Sequence, residues 1–486
     1  MLKPAHAQFC EWARSVNTAS RPHTVAVRED LLGNNYFASF TETGTTMVAS
    51  YLEKTNAAQQ SLWKKTFAGN IKISDVEINS LNHTVTTGSF EGAAIFDNDT
   101  LLSPNFRSAF FFEADETGVI LWIKKINPVN DAFEPVDLFI ATNDNLYFTS
   151  ELNGGSNLGF CAFHKMDPGA NNLQNEFNSN FENRTYSHII SDSAGNIVLS
   201  GTCGNFATFD GLTPSINASY QHFLAGYDSG FNAQWLLNKP YITFDHNNNL
   251  GTDGQNYFWV FDDFNGNDDT VKVLKVDATG QVLSEFAGPF TSAFFVAPYF
   301  SVDKFGNSVL LYSLYQHNYI FRYDANFNLL WSDTIATGFA TFEREIDVRC
   351  YDSSFYIFSR FNTDTMEVSG FTLYNLNSGA NFPVDLYAGK WNDNQPTGIT
   401  DRDVEQLVFF PNPANNILTI KTNGQEFKSA VIYDINGIEV YKKSIKNNAP
   451  SLFSFSVAHL NSGIYSIILF GEKNAWSIRK KLVIVH

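Results

Sequence analysis

Four short stretches between residues 71 and 126 decide the fold: Ile-Lys-Ile-Ser-Asp-Val-Glu at 71–77, His-Thr-Val-Thr-Thr-Gly-Ser-Phe at 83–90, Ser-Ala-Phe-Phe-Phe-Glu-Ala at 108–114 and Val-Ile-Leu-Trp-Ile-Lys-Lys-Ile at 119–126. Each stretch is rich in β-branched and aromatic residues, and turn-forming residues separate them, which is typical of strands. The sequence has no long segment with helical periodicity. We therefore predict an all-β protein in which these four strands form one unit.

The unit recurs along the chain, and aromatic residues mark its last strand at a near-constant spacing. Its tryptophans are 51, 59, 113 and 96 residues apart, each longer gap being close to two periods: Trp12, Trp63, Trp122, Trp235 and Trp331. Phe177 and Phe286 lie where the skipped units should end. The period is therefore about 50–60 residues, and we expect the tryptophans to pack in the core once per unit.

Two kinds of turn repeat in phase with the tryptophans. The sequence Asp-x-x-Gly-Asn occurs at 30–34, 192–196 and 303–307, each time before an apolar run. An aspartate stands seven residues before a tryptophan in three units, at Asp115, Asp228 and Asp324. Asp, Asn and Gly favour tight turns because they tolerate left-handed backbone or bond their own backbone. We therefore interpret these aspartates as turn formers.

Four strands per unit at this period are typical of a β-propeller blade. The units end near residues 67, 126, 177, 239, 286, 335 and 390, so we predict about seven four-stranded blades. Six or eight blades and a stacked β-solenoid are the alternatives. The units resemble the propeller repeats of exported bacterial proteins, with a Gly-Asn turn, a Phe after the second strand and a Trp in the last strand.

The N-terminal segment from Phe9 to Val16 carries Trp12 in the position of a last strand, yet it precedes the first full unit. It could therefore pair into the final blade and close the ring. That pairing would bring Cys10 near Cys350, and a disulfide between them is an alternative to free thiols.

Composition and charge argue against several kinds of partner and site. The chain has 32 Lys and Arg against 50 Asp and Glu, a formal charge of −18, so nucleic acid is not expected as a partner. No run of 18 apolar residues is present, so no transmembrane segment is predicted. The four cysteines lack CxxC spacing, which argues against zinc and dithiol redox sites and leaves their disulfide state open: Cys10, Cys161, Cys203 and Cys350.

The chain divides into four segments on sequence grounds. Ala5-His6-Ala7 matches the small-x-small pattern before a signal-peptidase site, so we interpret residues 1–7 as the remnant of a signal peptide. Residues 8–390 are predicted to form the β-propeller-like repeat domain. Residues 391–406 are polar, with Pro and Gly, and are predicted to be a linker. Residues 407–486 hold seven short strand-like stretches and are predicted to form a small β-sandwich.

The tail carries four motifs in order. They are Pro411-Asn412-Pro413, Tyr433-Asp434-x-x-Gly437, Leu460-x-x-Gly463-x-Tyr465 and a basic-then-apolar end that begins at Lys480-Lys481. Through these motifs the tail resembles the type A sorting domain of type IX secretion cargo. The resemblance implies Sec export, then type IX export to the cell surface or the medium, with the type IX machinery as partner. It assigns the sorting signal to Pro411, Asn412, Pro413, Gly437, Gly463, Tyr465, Lys480 and Lys481.

Motifs for catalysis are missing from the sequence, which has no HExxH, GxSxG, Walker or GxGxxG pattern. We therefore predict no catalytic residue. The best metal candidates lie in an Asp- and Asn-rich loop: Asp263, Asn265, Asn267 and Asp269. Such oxygens suit calcium, but the twelfth position of this loop is Leu274 rather than the Glu of an EF-hand. We favour a polar hairpin loop over a calcium site, and no other cofactor is expected.

The fold does not decide between binding and catalysis, because propellers host both. Our leading hypothesis is an exported binding or adhesion module that holds a glycan or a protein near its central channel. The alternative is an extracellular hydrolase or lyase that acts on a polysaccharide or a peptide. A cluster of perturbed acids and bases in the channel would favour the enzyme. A channel lined by aliphatic residues, turns and scattered Asn would favour binding.

Overall fold

The structure is a computed structural model. It describes residues 9–16, 22–43, 46–127, 132–153, 159–171, 173–177, 188–192, 194–204, 208–215, 220–240, 248–264, 269–292, 297–314, 316–338, 346–351, 354–377, 384–392, 408–410, 414–421, 429–433, 439–445, 452–470 and 477–485. The chain forms two compact units, residues 1–393 and 394–486. Throughout the described residues the regular structure is strand, which confirms the all-β prediction. Within these ranges, no helix is long and apolar enough to cross a membrane.

The first unit consists of seven antiparallel sheets of four strands, and we call each sheet a blade. The strands of blades 1 to 7 are, in turn, β2 Pro22–Glu29, β3 Asn35–Thr43, β4 Thr46–Thr55 and β5 Ser61–Ala68; β6 Ile71–Ile78, β7 Thr84–Phe96, β8 Asp99–Ala114 and β9 Ile120–Ile126; β10 Ala132–Ile140, β11 Leu146–Asn153, β12 Gly159–Met166 and β13 Gln174–Phe177; β14 His188–Ser191, β15 Ile197–Gly204, β16 Tyr220–Tyr227 and β17 Ala233–Pro240; β18 Asn248–Thr252, β19 Tyr257–Phe264, β20 Asp269–Val276 and β21 Val282–Ser292; β22 Ala297–Val302, β23 Ser308–Leu314, β24 His317–Tyr323 and β25 Leu329–Ala336; and β26 Asp347–Tyr351, β27 Ser354–Phe361, β30 Asp385–Asn392 and β1 Phe9–Val16.

The first six blades end at residues 68, 126, 177, 240, 292 and 336. Blade 7 ends at residue 392, and its fourth strand is β1 from the N-terminal segment. These ends lie close to the predicted ones, so the seven-bladed propeller is confirmed over six or eight blades and over a solenoid. A further hairpin, β28 Thr365–Val368 with β29 Phe371–Tyr374, is inserted in blade 7. β30 continues for two residues into the segment predicted as a linker, because Trp391 is fully buried in the blade. Residues 1–7 and most of the predicted linker lie outside the described residues.

The N-terminal strand closes the ring, as the sequence predicts. β1 pairs with β30 as the outermost strand of blade 7, with Phe9 opposite Asn392. Two ion pairs then tie blade 7 to blade 1. Arg14 Nη2 donates to Glu53 Oε2 at 2.8 Å, and Lys390 Nζ donates to Glu29 Oε1 at 3.0 Å.

The suggested disulfide between Cys10 and Cys350 is wrong. The two residues lie in one row across blade 7, but on its two edge strands, with Trp391 and Phe355 between them. Three strand spacings of about 4.8 Å separate them by about 14 Å, whereas a disulfide needs Cα atoms within about 7 Å. Cys10, Cys203 and Cys350 are free thiols, and burial raises the pKa of Cys10 to about 12.

The aspartates of the repeated turns are turn formers, as predicted. Asp30 Oδ1 accepts hydrogen bonds from the amides of Leu32 at 2.9 Å and Asn34 at 2.8 Å. The same two bonds recur in the turns that begin at these residues: Asp115, Asp192, Asp228, Asp303 and Asp324. The carboxylate thus satisfies the amides that the tight turn leaves unpaired.

The repeated tryptophans differ in their surroundings. Trp12 and Trp331 are buried, as predicted. Trp63, Trp122 and Trp235 are half-buried, so the prediction of core packing is wrong for these three, although all five tryptophans lie on outermost strands. Trp63 and Trp235 each contact the next blade. Trp63 Nε1 donates to Glu116 O at 3.0 Å, and Trp235 Nε1 donates to Ala278 O at 3.0 Å. These tryptophans therefore act at blade junctions.

The second unit contains two small sheets that share a core. One sheet holds β31 Val408–Phe410, β32 Ile417–Lys421 and β35 Leu452–Ser456; the other holds β33 Ser429–Tyr433, β34 Glu439–Ser444, β36 Gly463–Phe470 and β37 Ser477–Ile484. Leu418 and Phe455 from the first sheet are buried in the same cluster as Ile432 and Ile467 from the second. This arrangement confirms the seven-stranded β-sandwich.

Candidate functional site: the central channel

The innermost strand of every blade faces a central channel. These strands, β2, β6, β10, β14, β18, β22 and β26, line a cavity of about 450 Å³. Each inner strand leads into the first turn of its blade, so these turns surround one mouth of the channel. We call that side of the propeller the first-turn face.

Arg28 is the central charge of the channel wall. Its guanidinium donates to Asp75 Oδ1 at 2.7 Å and to Glu77 Oε1 at 2.9 Å, both on blade 2. It also donates to Asp347 Oδ2 at 2.8 Å, on blade 7. Burial alone would lower the pKa of Arg28, but the three carboxylates hold that pKa well above its usual value. Arg28 therefore joins blades 7, 1 and 2 as a permanent cation.

Three carboxylates join neighbouring inner strands. Asp347 Oδ2 accepts from the Val27 amide at 2.7 Å. Asp75 Oδ2 accepts from the Leu138 amide at 3.0 Å. Asp137 Oδ2 accepts in the same way from the amide of Ile189 at 2.8 Å. Each bond runs from one blade to the next, so the charges hold the inner ring together from blade 7 to blade 4.

The acids of this ring differ in their proton affinity. Burial raises the pKa of Asp75 to about 7, although Arg28 opposes the shift. Burial also acts on Asp137, but His188 and the Ile189 amide lower the pKa of Asp137 on balance. His188 Nδ1 lies 3.8 Å from Asp137 Oδ2. The channel thus brings together two acids whose pKa values are shifted in opposite directions, which is one part of the acid–base cluster that we expected of an enzyme.

Two channel carboxylates keep an oxygen available. Glu77 Oε2 and Asp137 Oδ1 accept no hydrogen bond from the described part of the chain, and their side chains are 21% and 17% exposed. Ser74 Oγ, on β6 beside Asp75, is buried and has no hydrogen-bond partner among the described residues. The opposite side of the channel is uncharged and includes Asn249, Gly251, Thr252, Tyr299 and Ser301.

The predicted calcium loop connects β19 and β20. Asp263 lies opposite Thr270, and Asp269 lies opposite Phe264, so the two aspartates belong to neighbouring strands of one hairpin. Asn265 and Asn267 lie outside the described residues. Among the residues that the structure describes, no group of three or more His, Cys, Asp or Glu side chains could hold a metal ion. The calcium site stays a prediction.

The predicted sorting residues fall on two paired strands and on segments outside the description. Gly463 and Tyr465 lie on β36, and Tyr465 Oη donates to Asn461 O at 2.8 Å. Lys480 and Lys481 lie on β37, which pairs with β36. Pro411, Asn412, Pro413 and Gly437 lie outside the described residues.

Comparison with known families identifies the tail. Residues 408–485 match the model of the secretion system C-terminal sorting domain. The tail is a sorting domain. It marks the chain as cargo of the type IX machinery, exported to the cell surface or the extracellular space. The match covers the sandwich and leaves the activity of the propeller unassigned.

Comparison with solved structures gives distant likenesses. PorZ of Porphyromonas gingivalis, a surface component of the type IX secretion system, is 11% identical with a TM-score of 0.39, covering 95% of this chain and 59% of PorZ. A Bacteroides caccae protein of unknown function is 10% identical with a TM-score of 0.35, covering 65% of this chain and 94% of that one. The chain thus spans less than two thirds of the length of PorZ. No curated protein sequence matches the chain.

The sequence reasoning missed every charged residue of the channel wall. These residues are Arg28, Asp75, Glu77, Asp137, Asp347 and Arg349. Their common signal is a charge inside the first strand of a unit, with an apolar residue on at least one side of it in sequence. That signal is visible in Ser-Asp-Val-Glu at 74–77 and in Asp-Val-Arg at 347–349.

Proposed function

We propose that the protein is an exported binding module, which the sorting domain delivers outside the cell and which holds its ligand in the propeller channel. The cavity of about 450 Å³ lies within the usual range of ligand sites, roughly 300–1,000 Å³. Its wall combines a charged side with an uncharged polar side, so it can orient a ligand.

The observation that carries binding over catalysis is the state of Asp75. Its pKa is the most strongly raised among the channel acids, yet its side chain is only 7% exposed. Oδ1 accepts from Arg28 and from the Val76 amide, and Oδ2 accepts from the Leu138 amide. A catalytic acid must reach its substrate, whereas Asp75 is engaged in holding the blades. Structural ion-pair networks perturb pKa values without any catalytic role.

A channel-filling variant tests this proposal. Asn249→Trp would fill the uncharged side of the cavity, and Leu121→Trp, on the exposed outer strand β9, is the matched control. Binding of the full chain to arrays of polysaccharides and extracellular proteins would be measured for both variants. We expect at least one ligand that the wild type and Leu121→Trp bind and that Asn249→Trp does not. Equal binding by all three proteins would refute a channel site.

An extracellular hydrolase or lyase is the second candidate, because two channel acids have pKa values shifted in opposite directions. The pKa of Asp75 is raised and the pKa of Asp137 is lowered, a pattern found in acid–base pairs. Turnover of a polysaccharide or peptide that falls about 100-fold or more in Asp137→Asn, with unchanged folding, would establish catalysis. Binding without any turnover would exclude it for the substrates tested.

A further inference from the structure

The charged channel opens beside an apolar rim on its first-turn face. We propose that the channel ligand is a polypeptide segment that inserts a lysine or arginine side chain into the channel and lays apolar neighbours on the rim. The inference rests on the proposed binding function and adds the chemistry of the ligand.

The channel has an excess of negative charge. Four carboxylates line it against two guanidinium groups, a formal charge of −2 when His188 is neutral and Asp75 is ionised. Arg349 is flanked by Asp347 Oδ1 at 3.4 Å and Glu77 Oε1 at 3.6 Å, so its charge is locally compensated. A narrow cleft with charge of one sign attracts ligand groups of the opposite sign. A cationic group is therefore favoured over an anionic one.

Acceptors for that cation lie on two adjacent inner strands. Glu77 on β6 and Asp137 on β10 each keep one carboxylate oxygen that accepts no hydrogen bond from the described residues. Ser74 Oγ on β6 is a third polar atom without a hydrogen bond in the described part of the protein. An ammonium group carries three donors and a guanidinium group carries five, so either can serve several of these acceptors at once.

The rim of the first-turn face is apolar. Leu31 and Leu32 are 85% and 68% exposed at the tip of the β2–β3 turn, Leu81 is 64% exposed on the β6–β7 turn, and Phe305 is 61% exposed on the β22–β23 turn. The Leu31 amide donates to Asn82 Oδ1 at 3.3 Å, which joins the first two turns. Clustered exposed apolar side chains mark protein-interaction sites. Three of these four side chains are leucines, which offer no flat ring for a sugar, so this rim favours a polypeptide over a glycan.

The charged wall and the rim are close along the chain. Arg28 and Glu77 are each one residue from the end of their inner strand, and Arg349 is two residues from the end of its own. The mouth surrounded by the apolar turns is therefore the mouth nearest the charges. One peptide segment can contact both.

The test uses a display library of random twelve-residue peptides panned against the full chain. Enriched peptides are then synthesised in two versions. One keeps the central Lys or Arg, and the other carries citrulline, the neutral counterpart of Arg, in its place. The affinities of both versions are measured by fluorescence anisotropy. We expect enriched peptides to share a basic residue between apolar residues, and we expect citrulline to weaken binding about tenfold.

Removing an acidic residue and removing a basic residue of the channel should change the affinity for a basic peptide in opposite directions. Glu77→Gln and Asp137→Asn keep the shape and should weaken binding of a basic peptide about tenfold, whereas Arg349→Met should strengthen it. On the rim, Leu32→Ser should weaken binding, and Leu283→Ser, an equally polar change at an exposed leucine of β21, should not. Thermal melts identify any variant that fails to fold. The variants that do fold then show whether each charge change strengthens or weakens peptide binding.

The outcomes separate this inference from the proposed function. The basic-peptide inference is overturned if the enriched peptides lack a basic residue, or if affinities rise in Glu77→Gln and fall in Arg349→Met. Either result leaves the proposed channel binding function standing. Peptides whose affinity no channel variant changes overturn both. The inference stands only if basic peptides are enriched and the charge variants act with the predicted signs.

Discussion

Replacing Gly280 by alanine should weaken the junction between blades 4 and 5. Gly280 has a φ of +85°, a left-handed conformation that costs a residue with a β-carbon about 1 kcal/mol. The new Cβ would lie 2.7 Å from Cγ and Cδ2 of Trp235, so the indole must move. Its Nε1–H bond to Ala278 O, now 3.0 Å long, contributes about 1 kcal/mol. We expect the free energy of unfolding to fall by about 2 kcal/mol in total.

Gly195 provides the matched control. It has the same φ of +85°, and a Cβ there would meet nothing within 4 Å. Gly195→Ala should therefore lose only the conformational part, about 1 kcal/mol. Urea unfolding followed by far-UV circular dichroism measures both variants without depending on the fluorescence of Trp235. Equal losses in the two variants would refute the reasoning that this tryptophan joins the two blades.

Three further predictions concern the ring. Arg28→Met should lower the free energy of unfolding by about 3–5 kcal/mol, because it removes the cation that three carboxylates share and leaves Asp75 without an ion-pair partner among the described residues. A loss below about 1 kcal/mol in urea would contradict the network. Asp75 has a pKa raised from 3.8 to about 7, so the folded state binds the extra proton and stability should fall as pH rises between these values. Asp75→Asn should flatten that dependence in urea midpoints at pH 5 and pH 8, and an unchanged slope would exclude Asp75 as its source. Deleting residues 1–16 should uncover the edge of β30 and cause aggregation, measured by size-exclusion chromatography. If deleting residues 1–8 alone causes equal aggregation, β1 is not the element that protects this edge.

The blade pattern could be predicted because its signals are local. An aspartate or asparagine and a left-handed residue fix most of the tight turns, and the outer-strand tryptophans repeat with the turns. The N-terminal strand was recognisable from Trp12 alone, which stands before the first complete unit. Turn chemistry and strand composition depend on a few neighbouring residues, so a single sequence is enough to recognise them.

The channel could not be predicted because its contacts are distant in sequence. Arg28 and Asp347 are 319 residues apart, and only closure of the ring brings them together. The wrong disulfide has another cause, because the sequence placed Cys10 on a last strand and Cys350 on a first strand, which the sheet order sets at opposite edges of one blade. Distance in sequence also explains the half-buried Trp63 and Trp235, whose partners belong to the next blade.

The central claim is that this propeller works outside the cell, delivered by its sorting domain. Its most direct test is to fractionate the native cells and to determine both ends of the protein by mass spectrometry. We predict protein in the surface or extracellular fraction that begins at Gln8, so that β1 is retained, and that lacks the sorting domain of residues 408–485. Cytoplasmic protein with an intact tail would contradict the account.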